Sequence, residues 1–190
     1  MEKRTKIIIG VVVAILVILV AGFLFLSNAN VTLQGNEAAV TLPGNYTLDD
    51  KGIATAGNTS VMFTGIMSGS GGSEANFYKA VSQNGKEAGY KNISKSDING
   101  YKVYEFAAYP DKLKNVSTDE VATDDGGTSW WTFEPYFPWG SEKGIDHYRM
   151  LTYVKDGNVN YLSFFTKDPN TSLYTSEIDN IINSIGPIEQ

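Results

Sequence analysis

The chain has 190 residues, a formal net charge of −6 and no cysteine, which fits one domain plus an accessory segment and excludes a disulfide framework or a thiolate metal site. Beyond residue 26 it carries 12 Lys and Arg against 20 Asp and Glu, a net charge of −8. Such a surface repels nucleic acid and anionic lipid headgroups and argues against both as partners.

The first element is apolar. Ile7 to Leu26 are twenty consecutive positions without a charged or hydrogen-bonding side chain. A helix of that length, at about 1.5 Å per residue, spans the roughly 30 Å hydrocarbon core of a bilayer. Lys3, Arg4 and Lys6 precede it, against Glu2, and the next charge is Glu37. Read with the positive-inside bias, residues 1–6 are a cytoplasmic tail, 7–26 a single-pass transmembrane anchor, 27–37 a linker and 38–187 a domain outside the cell membrane. The competing reading is a signal peptide cleaved after Ala29, because Ser27-Asn28-Ala29 has the small-x-small pattern. Signal h-regions run to about 7–15 residues, shorter than this run, which favours the anchor.

Six Asn-x-Ser/Thr sequons follow, at Asn30, Asn45, Asn58, Asn92, Asn115 and Asn170. They mark glycosylation candidates on an exported surface.

From Ala38 onward strands and helices alternate without internal repeats. Ala39 to Leu42 reads as a short strand stopped by Pro43-Gly44. Tyr46 to Ala56 reads as a hairpin turning at Asp50-Lys51-Gly52, and Ser60 to Met67 as a buried strand. A glycine-rich stretch, residues 68–73, then leads into a helix with Ser73 as N-cap. Phe77, Ala80, Val81 and Ala88 lie on or near one face of that helix, and Gly85 or Gly89 ends it. Asn99-Gly100 predicts a two-residue hairpin turn, after which Val103 and Glu105 alternate with Tyr104 and Phe106. Residues 110–146 form a long insertion. A second hairpin, His147 to Val154 and Val159 to Thr166, turns at 155–158. Last, Ile178, Ile181, Ile182 and Ile185 stand at i, i+3, i+4 and i+7 before Gly186-Pro187, the pattern of a helix burying one stripe against a sheet. The expected fold is α+β: a mainly antiparallel sheet flanked by helices.

The stretches VTLPGNYTL, INGYKVYEF, YVKDGNVNYLSFF and SEIDNIINSI, in that order around a central helix, resemble the PsbP-like superfamily over roughly residues 38–187. The resemblance implies an antiparallel sheet with helices and a binding or accessory role. It carries no catalytic motif, and no residue motif supports transferring photosystem partners.

Candidate chemistry is sparse. Gly69-x-Gly71 begins like a dinucleotide fingerprint, but Glu74 occupies the third glycine position and no βαβ unit follows, so a flexible connector is the simpler reading. His147 is the sole histidine. Without cysteines, motif-spaced carboxylates or a Gly-x-Ser-x-Gly it builds neither a usual zinc site nor a triad, and it reads as part of a solvated strand end beside Asp146 and Arg149. Asp119, Glu120, Asp124 and Asp125 before Gly126-Gly127 could offer calcium oxygens, but the EF-hand spacing is absent and a solvated acidic loop is simpler. No cofactor and no metal are expected.

The remaining signal is WWTFEPYFPW, residues 130–139, which hold all three tryptophans. Pro135 and Pro138 bar a regular helix or a central strand there. Trp130, Trp131, Phe133, Tyr136, Phe137 and Trp139 either staple the insertion onto the sheet, form an exposed aromatic platform, or dip into the membrane interface. Six rings in ten residues exceed what one staple needs. The sequence therefore predicts a non-catalytic, membrane-anchored binding or accessory domain that engages an envelope glycan or a membrane protein through these rings. The alternatives are an envelope hydrolase using carboxylates such as Glu134 and Asp146, which would need a pair about 5–10 Å apart, and a structural spacer.

Overall fold

The computed structural model describes residues 30–66, 85–114 and 142–188, together with the backbone of four two-residue strands between 116 and 133. The apolar run 7–26, the glycine-rich stretch and the acidic run lie outside the described residues. Among the described residues no helix is long and apolar enough to cross a membrane.

A seven-stranded antiparallel sheet dominates, in the order β3 (Thr47–Leu48), β4 (Ile53–Ala56), β5 (Thr59–Ile66), β13 (Asn158–Thr166), β12 (His147–Lys155), β7 (Tyr101–Ala108), β6 (Lys91–Ile98). The hairpin turns that build it are legible in the residues. Asn99 and Gly100 have φ of 51° and 80°, and Asp156 and Gly157 have 51° and 79°. Positive φ at both central positions is what a type I′ turn requires, and its twist matches that of the strands it joins.

Period-two alternation sorts the side chains onto two buried faces. One face presents Val61, Phe63, Val103, Leu151, Tyr153, Leu162 and Phe164. It is covered by α1 (Ser176–Asn183) and by a separate hairpin of β1 (Val31–Gln34) with β2 (Ala39–Leu42). The isoleucine stripe packs as expected: Ile178, Ile181, Ile182 and Ile185 are all buried, each contributing about 2 kcal/mol by removal from water. Thr175 caps α1, its hydroxyl accepting from the Ile178 N–H at 3.3 Å. The helix ends at Asn183, earlier than the Gly186-Pro187 stop. Ser184 closes the last turn onto Ile181, while Gly186 exchanges backbone bonds of 2.8 and 3.0 Å with Ala39. That bridge fastens the C-terminal segment to β2.

The strand β1 lies within the stretch 27–37 expected as a linker. Its turn is wedged against the sheet: a Cβ on Gly65 would strike the Asn36 backbone, and one on Gly35 would strike the Asn160 side chain. Asn160, buried, accepts from the Asn36 N–H at 2.6 Å and donates to its carbonyl at 3.1 Å.

The other face carries Ile53, Phe106, Ala108, Tyr148, Met150 and Phe165, packed with Ala88 and Tyr90. Residues 85–88 are helical. Of the two glycines expected to end that helix, Gly89 does so, with φ +103°, its N–H bonded to Lys86 O and the Tyr90 N–H to Gly85 O, the paired bonds of a Schellman motif.

The insertion contains a 3-10 turn, Pro110–Lys112, and two short ladders: β8 (Val116–Ser117) with β11 (Thr132–Phe133), and β9 (Val121–Ala122) with β10 (Thr128–Ser129). Two residues of the aromatic segment are therefore strand-paired, in a local ladder separate from the main sheet.

Candidate functional site

Of the expected binding residues, only Phe133 falls in a described element, as backbone. Trp130, Trp131, Tyr136, Phe137 and Trp139 lie outside the described residues, as does Glu134. The structure instead brings together a set of polar groups around Arg149 and His147, and a cavity at the β3–β4–β5 edge of the sheet.

Arg149, expected at a solvated strand end, is buried, 7% exposed. The β12 alternation aims it under α1. Its guanidinium donates to both Glu105 oxygens at 2.8 and 3.3 Å, to Asp179 of α1 at 3.0 Å and to the Leu173 carbonyl at 3.1 Å. Burial works against its charge, but the hydrogen bonds and charge of Glu105, then of Asp179, outweigh it and hold its pKa above the ordinary value. The arrangement ties helix to sheet, and it leaves no open donor fork for a substrate.

His147 is equally engaged. Nδ1 lies 2.7 Å from an Asp146 oxygen and Nε2 2.9 Å from the Thr171 carbonyl. Both ring nitrogens thus face protein acceptors, so neither is placed to take a proton from a nucleophile. The contact pins the 168–172 loop to the start of β12. Asp168 braces the same loop: it accepts from the Asn170 N–H at 3.0 Å, the Thr171 hydroxyl at 3.0 Å and Asn58 Nδ2 at 2.7 Å. The Asn170 N–H first, and the Thr171 hydroxyl next, hold its carboxyl below the usual carboxylate range.

At the β3–β4–β5 edge, a cavity of about 480 Å³ has Ile53 and Phe165 as its apolar floor and Asp49, Glu142, Lys167 and Asp168 on its walls. Its carboxylates have partners. Glu142 sits between Lys167 at 3.0 Å and Lys51 at 3.3 Å, and the Lys167 hydrogen bond leads in lowering its pKa. Asp49 accepts from the Lys51 and Ile53 N–H groups at 2.9 and 2.8 Å. Among the described residues no group of three or more His, Asp or Glu could hold a metal ion.

Two tyrosines that the sequence did not single out flank the His147 end. Tyr174 is 47% exposed, with the Arg149 guanidinium 4.4 Å from its ring centre and Asn92 Nδ2 donating to its hydroxyl at 2.7 Å. Tyr109 lies 5.4 Å from the His147 ring, with the ammonium groups of Lys112 and Lys91 at 4.4 and 5.1 Å. Periodicity gives no hint of either, because both stand where an element begins or ends. Of the sequon asparagines, Asn30, Asn45, Asn58, Asn92 and Asn170 are exposed, and Asn115 lies outside the described residues.

No protein-family model matches the chain, and no curated protein matches it. Among solved structures, the solution structure of cyanobacterial PsbP (CyanoP) from Synechocystis sp. PCC 6803 is similar over 84% of this chain and 93% of that one, at 9% sequence identity and a TM-score of 0.46.

Proposed function

We propose that this protein is a non-catalytic binding or accessory domain of PsbP-like architecture, held at the outer side of the cell membrane by Ile7–Leu26. It engages an envelope glycan or a membrane-protein partner through Trp130, Trp131, Phe133, Tyr136, Phe137 and Trp139. The observation that carries the non-catalytic reading is the environment of His147: its two ring nitrogens, at 2.7 and 2.9 Å from protein acceptors, hold a loop in place, where a general base must reach a substrate proton. Asp146, half of the carboxylate pair a hydrolase would use, is the first of those acceptors. The binding surface rests on the concentration of rings in 130–139, where Pro135 and Pro138 lower the entropy lost on binding. The anchor rests on twenty apolar residues behind a basic start.

Indole fluorescence tests the surface, since every tryptophan of the chain lies in this segment. The expected result is red-shifted emission that an added quencher reduces, with Trp131→Ala and Trp139→Ala folding normally and losing partner binding. Blue-shifted, unquenched emission from all three would mean a staple, and the substitutions would then cost about 3–5 kcal/mol. The anchor predicts retention in membranes through high salt and alkaline carbonate. A soluble mature form beginning at Asn30 would contradict it.

A further inference from the structure

We propose that Tyr174, with Tyr109, Lys91 and Lys112, forms a second binding site, distinct from residues 130–139, for an acidic sugar of the hexuronate class.

Tyr174 has the attributes of a stacking platform. One side of its ring rests on the Arg149 guanidinium at 4.4 Å, its hydroxyl is held by Asn92 at 2.7 Å, and 47% of the residue remains exposed. Arg149 is itself fixed by Glu105 and Asp179. These contacts position the ring before any ligand arrives, which lowers the ordering cost of binding. A pyranose carries a face of weakly positive C–H bonds that complements the negative face of such a ring.

Beside it lies a shallow pocket of about 120 Å³ bordered by Lys91, Asn92, Tyr109, His147 and Tyr174. Lys91 and Lys112 both contact the Tyr109 ring, and neither forms an ion pair with a carboxylate among the described residues. Two such ammonium groups on the Tyr109 ring, in a domain of net charge −8, suit a carboxylate attached to a sugar ring. The ring binds the C–H face, and a lysine donates to the carboxylate in a charge-assisted bond. His147 serves as wall, its nitrogens being occupied. A neutral sugar would use the ring and leave the lysines idle, and extended polyanions such as nucleic acid meet the acidic remainder of the domain.

The test is calorimetric titration of the full chain in detergent micelles with tetrasaccharides of galacturonic, glucuronic and mannuronic acid, each against its neutral counterpart. At least one acidic ligand should bind about tenfold more tightly than its neutral counterpart, a difference that shrinks as salt rises. Tyr174→Ala should lose about tenfold or more, while Tyr174→Phe, which keeps the ring, should lose less than about threefold. Lys91→Ala combined with Lys112→Ala should bring the acidic ligand down to the neutral one. Unchanged melting of each variant excludes unfolding as the cause. Absence of binding by all three acids, equal binding of acidic and neutral forms, or indifference to Tyr174→Ala would overturn the proposal. Binding lost with Trp130→Ala and Trp131→Ala but kept with Tyr174→Ala would also overturn it, while supporting the reading of residues 130–139.

Discussion

The two faces of the central sheet handle polarity differently. On the face under α1 and the β1–β2 hairpin, buried polar groups have partners that join elements: Arg149 ties β12 to β7 and α1, Asn160 ties β13 to the β1–β2 turn, and the Tyr153 hydroxyl donates to the Ile182 carbonyl at 3.1 Å. On the opposite face Thr152 and Ser163 are buried, at 1% and 0% exposure, and their hydroxyls have no partner among the described residues. Partnered polar groups add register and orientation to a core, whereas an unpartnered hydroxyl carries only the cost of desolvation. The first face therefore specifies how helix, hairpin and sheet dock, and through Arg149 it supports the Tyr174 ring. The second face owes its cohesion to apolar packing.

The largest expected effect lies on the helix-covered face. Ile181→Asp puts a carboxylate at a position 1% exposed and should cost several kcal/mol, enough to unfold a domain of ordinary stability. A variant that melts like the parent would mean α1 packs elsewhere. Next is Arg149→Met, which strands the mostly buried Glu105 carboxylate and should cost about 3–5 kcal/mol in chemical denaturation. Asp179, with 57% of its side chain exposed, should cost less than about 1 kcal/mol when changed to alanine. Equal losses for the two would place the weight of the tie on the helix side. On the opposite face, Ser163→Ala and Thr152→Val should leave stability within about 1 kcal/mol of the parent or raise it. A larger loss would reveal a partner for those hydroxyls and erase the contrast between the faces. The smallest effect is at the rim. Glu142 and Asp168 have lowered folded pKa values, so their contribution is present above the ordinary carboxylate range and disappears as pH falls through the folded values. Glu142→Gln and Asp168→Asn should flatten the acid limb of the stability profile, and salt should mask the Glu142 part first. An acid limb unchanged by both substitutions would contradict the pairing seen there.

Local chemistry made much of this fold legible. Asn99-Gly100 and Asp156-Gly157 announce their turns because few other residues accept positive φ at those positions, and the four isoleucines announce their helix by spacing alone. The role of Arg149 was hidden, because its neighbours Asp146 and His147 suggest a surface while its partners Glu105 and Asp179 are 44 and 30 residues away. Tyr174 was hidden for a similar reason: a ring becomes a platform through what lies beneath it, and Arg149 reaches it from β12. The β1 strand was masked by its position in a polar stretch that reads as linker, since its pairing depends on β2 and on the close approach at Gly65. The aromatic segment, the strongest feature of the sequence, has its side chains outside the described residues.

The central claim is that the polar groups of this domain hold structure in place and that its work is binding. The most direct measurement incubates the full chain in micelles with isolated envelope polysaccharide and records, in one experiment, protein retained on the polymer and soluble fragments released from it. The account predicts retention without release, with retention reduced by aromatic substitution in 130–139 or at Tyr174. Release of fragments, abolished by His147→Ala or Asp146→Asn, would contradict it.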